Sequence, residues 1–449
     1  MLKNRKGITL VALVVTIVVL LILAGVSINL VLGNNGIIAK AKEAETKSAE
    51  ASQNDLKGMN SLIEQMESTL NGGSNNNKED DGLGKLVNDM GTLPEDTTPY
   101  FPSSDFKRRE KTNTENGLVI EDTEGNEYVW IVVPKSLYSN TNYNSNNAKK
   151  PSSSTDYANI EYCLQQYTAT YRIDGWSDTH EADDDNVGWL TSGEYTELKN
   201  SMLKSVYENG GFYVGRYEAG IDATTGTNRT SNTDQNSDGK YTIEGMSTPL
   251  SKADAYPYTY VTRTQAKALA EKVNSGNYTS SLMFGVQWDL VLAFMSKDTE
   301  KINQDTLKEL ISDSATIGNY LNSTFDLNRG KYAQYGKLGN TWNNFDSALD
   351  SIVVSNEETG KMKKTKQESY ENGILLTTGG TEQSKVMNIY DIAGNVFEWT
   401  LEKASLPSFP CAIRGGYYRD TGSIFPASGC SLTSTDCSRD DGGFRVSLF

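Results

Sequence analysis

The side chains best suited to catalysis or metal binding are scarce in this chain of 449 residues. There is one histidine, His180, and there are four cysteines, Cys163, Cys411, Cys430 and Cys437. A Ser-His-Asp triad or a histidine-based metal centre would have to depend on a single imidazole. Four cysteines allow three fully paired connectivities, and their spacing does not choose among them. The sequence therefore has few side chains that could bind a metal or act as an acid or base near neutral pH.

A second chemical candidate is an acidic loop, DQNSDGKYTIEG, that begins at Asp234. Asp234, Asn236 and Asp238, followed by Gly239, have the spacing of an EF-hand calcium loop. Glu244 falls one place short of the bidentate position, and no pair of flanking helices is apparent. Calcium held by the first three residues is one interpretation, and a solvated loop rich in Asx turns is the other.

The third candidate is the C-terminal segment, residues 414–445, which reads RGGYYRDTGSIFPASGCSLTSTDCSRDDGGFR. Glycine pairs at both ends suit sharp chain reversals, and no hydrophobic period runs between them. Aromatic and apolar groups are interleaved with charged and small polar ones, as in contact surfaces with rigid anchors and adaptable partners. The candidate ligand-binding residues are Tyr417, Tyr418, Arg419, Asp420, Ile424, Phe425, Cys430, Ser431, Leu432, Thr433, Asp436, Cys437, Arg439, Asp440 and Asp441.

We expect the main anchors of this surface to be Tyr417, Tyr418, Phe425 and Arg419, because a minority of interface residues usually carries most of the binding energy. The alternative is an ordinary surface loop, since connecting segments are polar and irregular by default.

The elements that must carry this segment begin with a strongly apolar N-terminus. Lys3, Arg5 and Lys6 precede an uncharged run from Ile8 to Leu32, which is long enough to span a bilayer as one helix. The basic flank predicts that residues 1–7 lie on the cytoplasmic side. Helix-forming sequence continues this span as a stalk, so residues 8–70 are expected to form a transmembrane and stalk helix. Residues 71–117, rich in Gly, Ser, Asn and Pro, predict a flexible linker.

The rest of the chain predicts one large folded domain. From residue 118 onward, short strand-like runs alternate with turn residues, and two helical windows begin at Arg263 and Val286. The expected fold class is therefore α+β with long loops. A formal net charge of −16 argues against a nucleic-acid partner, because no basic stripe is available to neutralise phosphates.

At the N-terminus, Lys6-Gly7 followed by ITLVALVV resembles a class III, type IV prepilin leader. The resemblance implies a leader of residues 1–7 that a prepilin peptidase removes by cleavage between Gly7 and Ile8. It also implies other pilin subunits as partners, and a protein anchored at the cell surface or in a pilus with its C-terminal domain outside. The family usually has glutamate at the fifth mature position, where this chain has Ala12. A minor or tip-located pilin, or a pilin-like anchor, is therefore as consistent with the sequence as a major subunit.

Several motifs resemble the formylglycine-generating-enzyme (sulfatase-modifying factor) domain, a variant of the C-type lectin fold. YVWIVVP, GGFYVGRYEAG, FGVQWDLVLAFM, NIYDIAGNVFEWT and IRGG followed by GGFRVSLF occur in the family's order. The resemblance implies this fold for residues 118–449, and it makes Asn395 and Glu398 alternative calcium ligands. The family's enzyme has two closely spaced cysteines shortly after RGG, which Cys430 and Cys437 do not match. We therefore expect no enzymatic activity.

The frame of GNVFEW, IRGG and GGFR also resembles the variable proteins of diversity-generating retroelements. In that family, template adenines are randomised, so AAY codons become NNY codons, which cannot encode Lys, Glu, Gln, Met or Trp. None of these five residue types occurs from Ala404 to Phe449. The resemblance implies a hypervariable patch that binds an unknown protein or glycan. Cys430 and Cys437 would then be outcomes of substitution, with a bridge between them allowed outside the cell.

Taken together, these features predict an adhesin-like or receptor-like protein at the cell surface, with a pilin-type anchor and a hypervariable patch on a lectin-type domain. Two alternatives stay open. One is a surface-anchored enzyme of the formylglycine-generating type, and the other is a structural minor pilin.

Overall fold

The structure is a computed structural model that describes residues 97–183, 185–273, 278–334 and 341–449. The chain divides into two compact units after Glu79, and every described residue belongs to the second, Asp80–Phe449. The predicted leader, membrane helix and stalk of residues 1–70, with Gly7 and Ile8, lie outside the described residues. Within the described ranges, no helix is both long enough and apolar enough to cross a membrane.

The described chain mixes helices with short strands. The helices are α1 (Tyr157–Tyr167), α2 (Ser192–Asn209), α3 (Arg263–Glu271), α4 (Gly285–Met295) and α5 (Lys308–Ile311), with 3-10 turns at Lys135–Ser139, Tyr370–Asn372 and Glu382–Ser384. The strands are β1 (Lys107–Arg108), β2 (Val119–Glu121), β3 (Glu127–Val132), β4 (Trp176–Ser177), β5 (Gly211–Gly215), β6 (Gly220–Ile221), β7 (Tyr256–Pro257), β8 (Ser280–Ser281), β9 (Phe325–Asp326), β10 (Lys331–Ala333), β11 (Trp342–Asn344), β12 (Val353–Ser355), β13 (Met362–Lys364), β14 (Leu375–Leu376), β15 (Phe397–Ala404), β16 (Cys411–Arg414), β17 (Cys430–Thr433), β18 (Gly442–Gly443) and β19 (Ser447–Leu448).

Two of the described helices begin where the sequence supplies side-chain caps. Thr191 and Glu194 form a capping box at the start of α2, and Thr262 and Gln265 form another at the start of α3. Helices α3 and α4 coincide with the two windows expected from periodicity. Every residue of α4 is buried, so this helix lies inside the core and not on its surface.

The two largest of the five sheets in the described residues carry the C-terminal segment. The larger is antiparallel with the order β1-β2-β3-β5-β19-β8, so the last strand of the chain lies inside it. The second has the order β17-β16-β15-β18, with β4 also paired to β15. Strands β16, β17 and β18 all belong to the C-terminal segment or overlap it. Both ends of the segment are thus built into sheets.

Residues 97–117, which the sequence analysis assigns to the linker, are part of this folded unit. Strand β1 pairs with β2, and Phe106 is buried. The Thr97 hydroxyl donates to the carbonyl of Gly210 at 2.7 Å and accepts from the indole of Trp130 at 2.8 Å. The part of the predicted linker that the structure describes, residues 97–117, is therefore folded, because these residues find partners far along the chain that local composition does not reveal.

Candidate binding surface

Backbone atoms of the C-terminal segment form several hydrogen bonds to the rest of the domain. These contacts run to α5, to the chain that follows this helix, and to the loop before β15. The bonds join Ser428 N to Leu310 O (2.9 Å), Ser314 N to Gly422 O (3.0 Å), Leu321 N to Asp420 O (2.8 Å), Tyr418 N to Asn395 O (3.1 Å) and Phe397 N to Asp441 O (2.7 Å). Such bonds do not depend on which side chains the segment carries.

Side chains outside the segment also form hydrogen bonds with its backbone atoms. Asn322 Oδ1 accepts from Gly422 N at 3.1 Å, and Ser314 Oγ accepts from Ala427 N at 2.8 Å. Trp288, on α4, donates through its indole nitrogen to the carbonyl of Ala427 at 3.0 Å. Gly422 and Ala427 are buried, so they serve as spacers within the segment.

Two buried arginines hold the ends of the segment. Arg414 donates from Nε and Nη2 to the carboxylate of Glu402 at 2.7 Å, and Nη2 also meets Asp289 at 3.3 Å. Arg445 donates from Nη2 to Glu398 at 2.6 Å and from Nη1 to the carbonyl of Gly215 at 2.9 Å. Charge-assisted bonds in a buried setting are strong and geometrically specific. The RGG and GFR motifs thus have structural partners in the core.

The aromatic residues expected to lead the surface are mostly inside the domain. Tyr418 is 0% exposed and Tyr417 is 8% exposed. Tyr417 stacks on Phe397 of β15 with ring centroids 5.0 Å apart, and burial raises the pKa of its hydroxyl. Phe425 packs edge-on against Phe397 at 5.2 Å and keeps partial exposure. The structure thus places Tyr418, which the sequence analysis expects as a contact anchor, inside the domain, where its ring meets that of Tyr417 edge-on at 5.9 Å.

Other members of the candidate set do reach solvent. Ile424 is 61% exposed and Leu432 is 41% exposed, and Asp436 and Arg439 are also exposed. In the β16–β17 pair, Cys430 lies opposite Arg414 and Leu432 lies opposite Ala412. Side chains two positions apart on a strand share a face, and so do residues directly opposite each other in an antiparallel pair. Cys430 and Leu432 therefore lie on the same face of the sheet. Ser431 and Thr433 lie on the other face, so the side chains of β17 are divided between the two sides of the sheet.

The charged residues of the segment pair largely with one another. Arg419 contacts Asp440, which also accepts from the Tyr418 hydroxyl at 2.8 Å. Arg439 Nε lies 3.1 Å from a carboxylate oxygen of Asp441. The pKa of Asp420 is raised, first by burial and then by the nearby charge of Asp441. These pairs order the loop between residues 434 and 441 against the turn at 417–420.

Tyr370 is a surface residue that sequence reasoning misses. It lies on a 3-10 turn 49 positions before Arg419 and is 51% exposed. Its hydroxyl accepts from Arg419 Nη1 at 3.1 Å, and the guanidinium carbon lies 5.0 Å from its ring centroid. Its ring also meets that of Tyr417 edge-on at 6.5 Å. No local pattern around Tyr370 signals this, because the contact arises only when the two distant segments pack together.

Asp185 and Asn186, in a different part of the chain from the acidic loop at Asp234, also border the segment. Asn186 Nδ2 donates to the carbonyl of Thr435 at 3.2 Å, and the Thr435 hydroxyl donates to Asp185. The surface around the segment is thus completed by two stretches from elsewhere in the chain, the turn at Tyr370 and residues 185–186.

All four cysteines lie within the described residues, and all are free thiols. The bridge allowed for Cys430 and Cys437 is absent from this structure. Burial raises the pKa of the Cys430 thiol well above its usual value, and the charge of Glu402 adds to this effect. A thiol in this state is a poor source of the thiolate that cysteine chemistry needs.

The candidate calcium ligands have other partners. The Asn395 amide donates to Glu218 at 2.7 Å, its oxygen accepts from Asn319 at 3.0 Å, and Glu398 pairs with Arg445. In the acidic loop, the Asp234 carboxylate pairs with Arg229 at 2.7 Å. Asn236 Oδ1 accepts from the backbone of Asp238 and Lys240, both at 3.0 Å, which is an Asx turn. Among the described residues, no group of three or more His, Cys, Asp or Glu side chains converges to hold a metal ion.

Comparison with solved structures gives distant likenesses, among them two that are described below. No protein-family model matches the chain, and none of the curated proteins matches it. The crystal structure of CarF is similar over 53% of this chain and 85% of its own length, at 14% identity and a TM-score of 0.24. The structure of Treponema denticola variable protein 1 is similar over 53% of this chain and 84% of its own, at 13% identity and a TM-score of 0.24. At these values neither likeness carries an argument.

Proposed function

We propose that this chain is a surface-displayed binding protein whose C-terminal segment is diversified and meets a protein or glycan ligand. The observation that carries the proposal is the way the segment is held. The rest of the domain forms hydrogen bonds with backbone atoms of Asp420, Gly422 and Ser428. The side chains of Ile424 and Leu432, in contrast, extend into solvent. A segment held in this way can change its exposed side chains and keep its path.

The absence of Lys, Glu, Gln, Met and Trp from residue 404 onward supports the same proposal, because NNY codons exclude these residue types. The pilin-type anchor, the cleavage between Gly7 and Ile8 and the lectin-type family of the domain belong to the proposal through their sequence resemblance. The proposal also includes that the chain is not an enzyme. The raised pKa of the Cys430 thiol supports this part, since a surface enzyme of the formylglycine-generating type depends on reactive cysteines.

The direct test is deep sequencing of the 3′ end of the gene and its flanking locus in a natural population of the source cells. We expect substitutions concentrated in the codons of Tyr417 to Asp441, with a near-copy repeat and a reverse transcriptase gene nearby. The same sequence for the C-terminal segment in every cell, with no near-copy repeat in the locus, would overturn the diversification proposal.

The structural premise can be tested separately in the full chain. Libraries randomised at Ser423, Ile424 or Leu432, all exposed, should keep wild-type thermal unfolding in most members. A matched library at buried Ala427 should lose it in most members, because the added volume meets the core. If both libraries kept wild-type thermal unfolding to the same extent, the distinction between exposed positions that can vary and buried positions that cannot would be contradicted.

A further inference from the structure

Lys364, the last residue of β13, is a buried lysine with an unusual set of partners. It is 0% exposed, and no carboxylate of the described chain pairs with it. Its Nζ donates to the carbonyl oxygens of Tyr320 at 2.7 Å, Leu321 at 3.2 Å and Ser323 at 2.9 Å. Three carbonyl groups of one tight turn therefore converge on a single ammonium.

This arrangement matches the chemistry of a bound cation. Backbone carbonyls that point at one centre repel one another through their partial negative charges, and a cation at the centre offsets this repulsion. An ammonium carries three donors and no acceptor, which equals the number of oxygens present. The ring of Phe325 lies 5.5 Å from Nζ and adds a cation–π contact. Burial lowers the pKa of Lys364 to about 7. Hydrogen bonds to three carbonyl oxygens are the kind of contact that favours the charged form.

The turn that Lys364 holds is the same turn that supports the C-terminal segment. The Tyr320 hydroxyl donates to the carbonyl of Gly415 at 2.7 Å, and Leu321 N donates to Asp420 O at 2.8 Å. Asn322, between these carbonyls, accepts from Gly422 N at 3.1 Å. One side of the turn thus faces the ammonium, and the other side faces the backbone of residues 415–422.

We propose that Lys364 is a positioning residue of the candidate binding surface, with its ammonium serving as a built-in cation that fixes the 320–323 turn and, through it, the path of residues 415–422. Its importance for ligand binding rests on the proposed function. The structural role does not, because it concerns the support of the segment and applies equally to a segment of fixed sequence.

The test is hydrogen–deuterium exchange of the full chain, read by mass spectrometry in peptides that cover residues 415–422. Lys364→Met keeps an apolar stem of similar length and removes the charge. We expect protection of these peptides to fall at least tenfold, while peptides from β3 stay protected. Lys363→Met is the matched control, since this neighbouring lysine is only half-buried and its side chain forms no hydrogen bond with the turn among the described residues. Wild-type protection in Lys364→Met would overturn the proposal, because packing by the stem would then be sufficient.

Chemical rescue separates charge from packing. In Lys364→Ala, propylammonium can refill the missing stem and ammonium, whereas 1-propanol at the same concentration refills the volume without the charge. We expect propylammonium alone to restore protection of residues 415–422. Equal restoration by the two compounds would overturn the proposal. If Lys364→Ala does not fold, the Lys364→Met result decides alone, and in either case population sequencing of the gene tests the proposed function independently.

Discussion

Arg414 and Glu402 form a two-point ion pair in the core, with both hydrogen bonds at 2.7 Å and both residues buried. Asp289 and Arg172 extend this pair, since Arg172 Nη2 lies 3.1 Å from the Asp289 carboxylate. The start of the C-terminal segment is therefore anchored to α4 and β15 by a charge network and not by apolar packing alone.

Removing one member of this network should be costly. We expect Arg414→Met to lower the free energy of unfolding by about 3–5 kcal/mol. Glu402 would be left buried without its main partner, and Asp289 would keep Arg172 but lose Arg414. Lys107→Gln, which removes an exposed partner of Glu121, should change it by roughly 0.5 kcal/mol or less. Urea unfolding of the full chain measures both. Similar losses in the two variants would show that the buried pair has no special weight.

Gly416 should resist substitution more than another glycine of the same backbone conformation. Its φ is +77°, and a Cβ would lie 2.4 Å from the carbonyl oxygen of Phe425. Gly239 has φ +74° with open space around it. We expect Gly239→Ala to cost about 1 kcal/mol through backbone strain. Gly416→Ala should cost a further 1–3 kcal/mol or so, because the backbone must shift. Thermal unfolding measures the difference. Equal losses of stability in the two variants would mean that the backbone near Phe425 moves aside without a measurable energetic cost.

Chemical modification can check which tyrosines form the surface. With tetranitromethane, we expect nitration of Tyr370 at least ten times faster than of Tyr418, because the first is 51% exposed and the second is 0% exposed. Tyr320, also 0% exposed, is the internal control for burial. Peptide mass spectrometry over a time course gives the three rates. Comparable rates at Tyr370 and Tyr418, with Tyr320 protected, would restore Tyr418 as a surface anchor.

The buried acids near α4 should make stability depend on pH. Burial, followed by the charge of Glu402, raises the pKa of Asp178 to about 7, although its carboxylate accepts from the backbone of Gly285 and Val286. A carboxyl with a raised pKa holds a proton in the folded state that the unfolded state has already lost. Its contribution to stability is thus fully present below the unfolded pKa near 4 and is lost as pH rises through about 7.

Comparison with Asp178→Asn isolates this contribution. Between pH 5 and 6.5, the free energy of unfolding of the wild type, relative to the variant, should fall by roughly 1 kcal/mol for each pH unit. Urea titrations at several pH values give this difference. A difference that is constant or rises with pH would show that Asp178 is ionised throughout, and would contradict the predicted effect of burial.

Much of the local structure follows from the sequence. The windows that begin at Arg263 and Val286 become α3 and α4, and the apolar runs at YVWIVV and GFYVG become β3 and β5. Helix and strand periodicity is a property of neighbouring residues, so it can be read without knowing the fold. The glycine pairs of the C-terminal segment mark its limits for the same reason, because backbone freedom belongs to the residue itself.

The composition of the segment, the apolar N-terminal run and the scarcity of histidine are likewise complete in the sequence. They determine the hypothesis of an anchored binding protein without any coordinates. What they do not determine is which candidate side chains reach solvent, because burial depends on the surface that lies opposite each residue.

Only the tertiary structure decided that Tyr418 lies inside, that Ile424 lies outside, and that Tyr370 joins the surface from 49 positions away. It also decided that residues 97–117 belong to the folded unit and that Lys364 supports the turn beneath the segment. Each of these facts rests on contacts between residues far apart in the chain. Such contacts form when whole elements pack together, so no local sequence pattern records them.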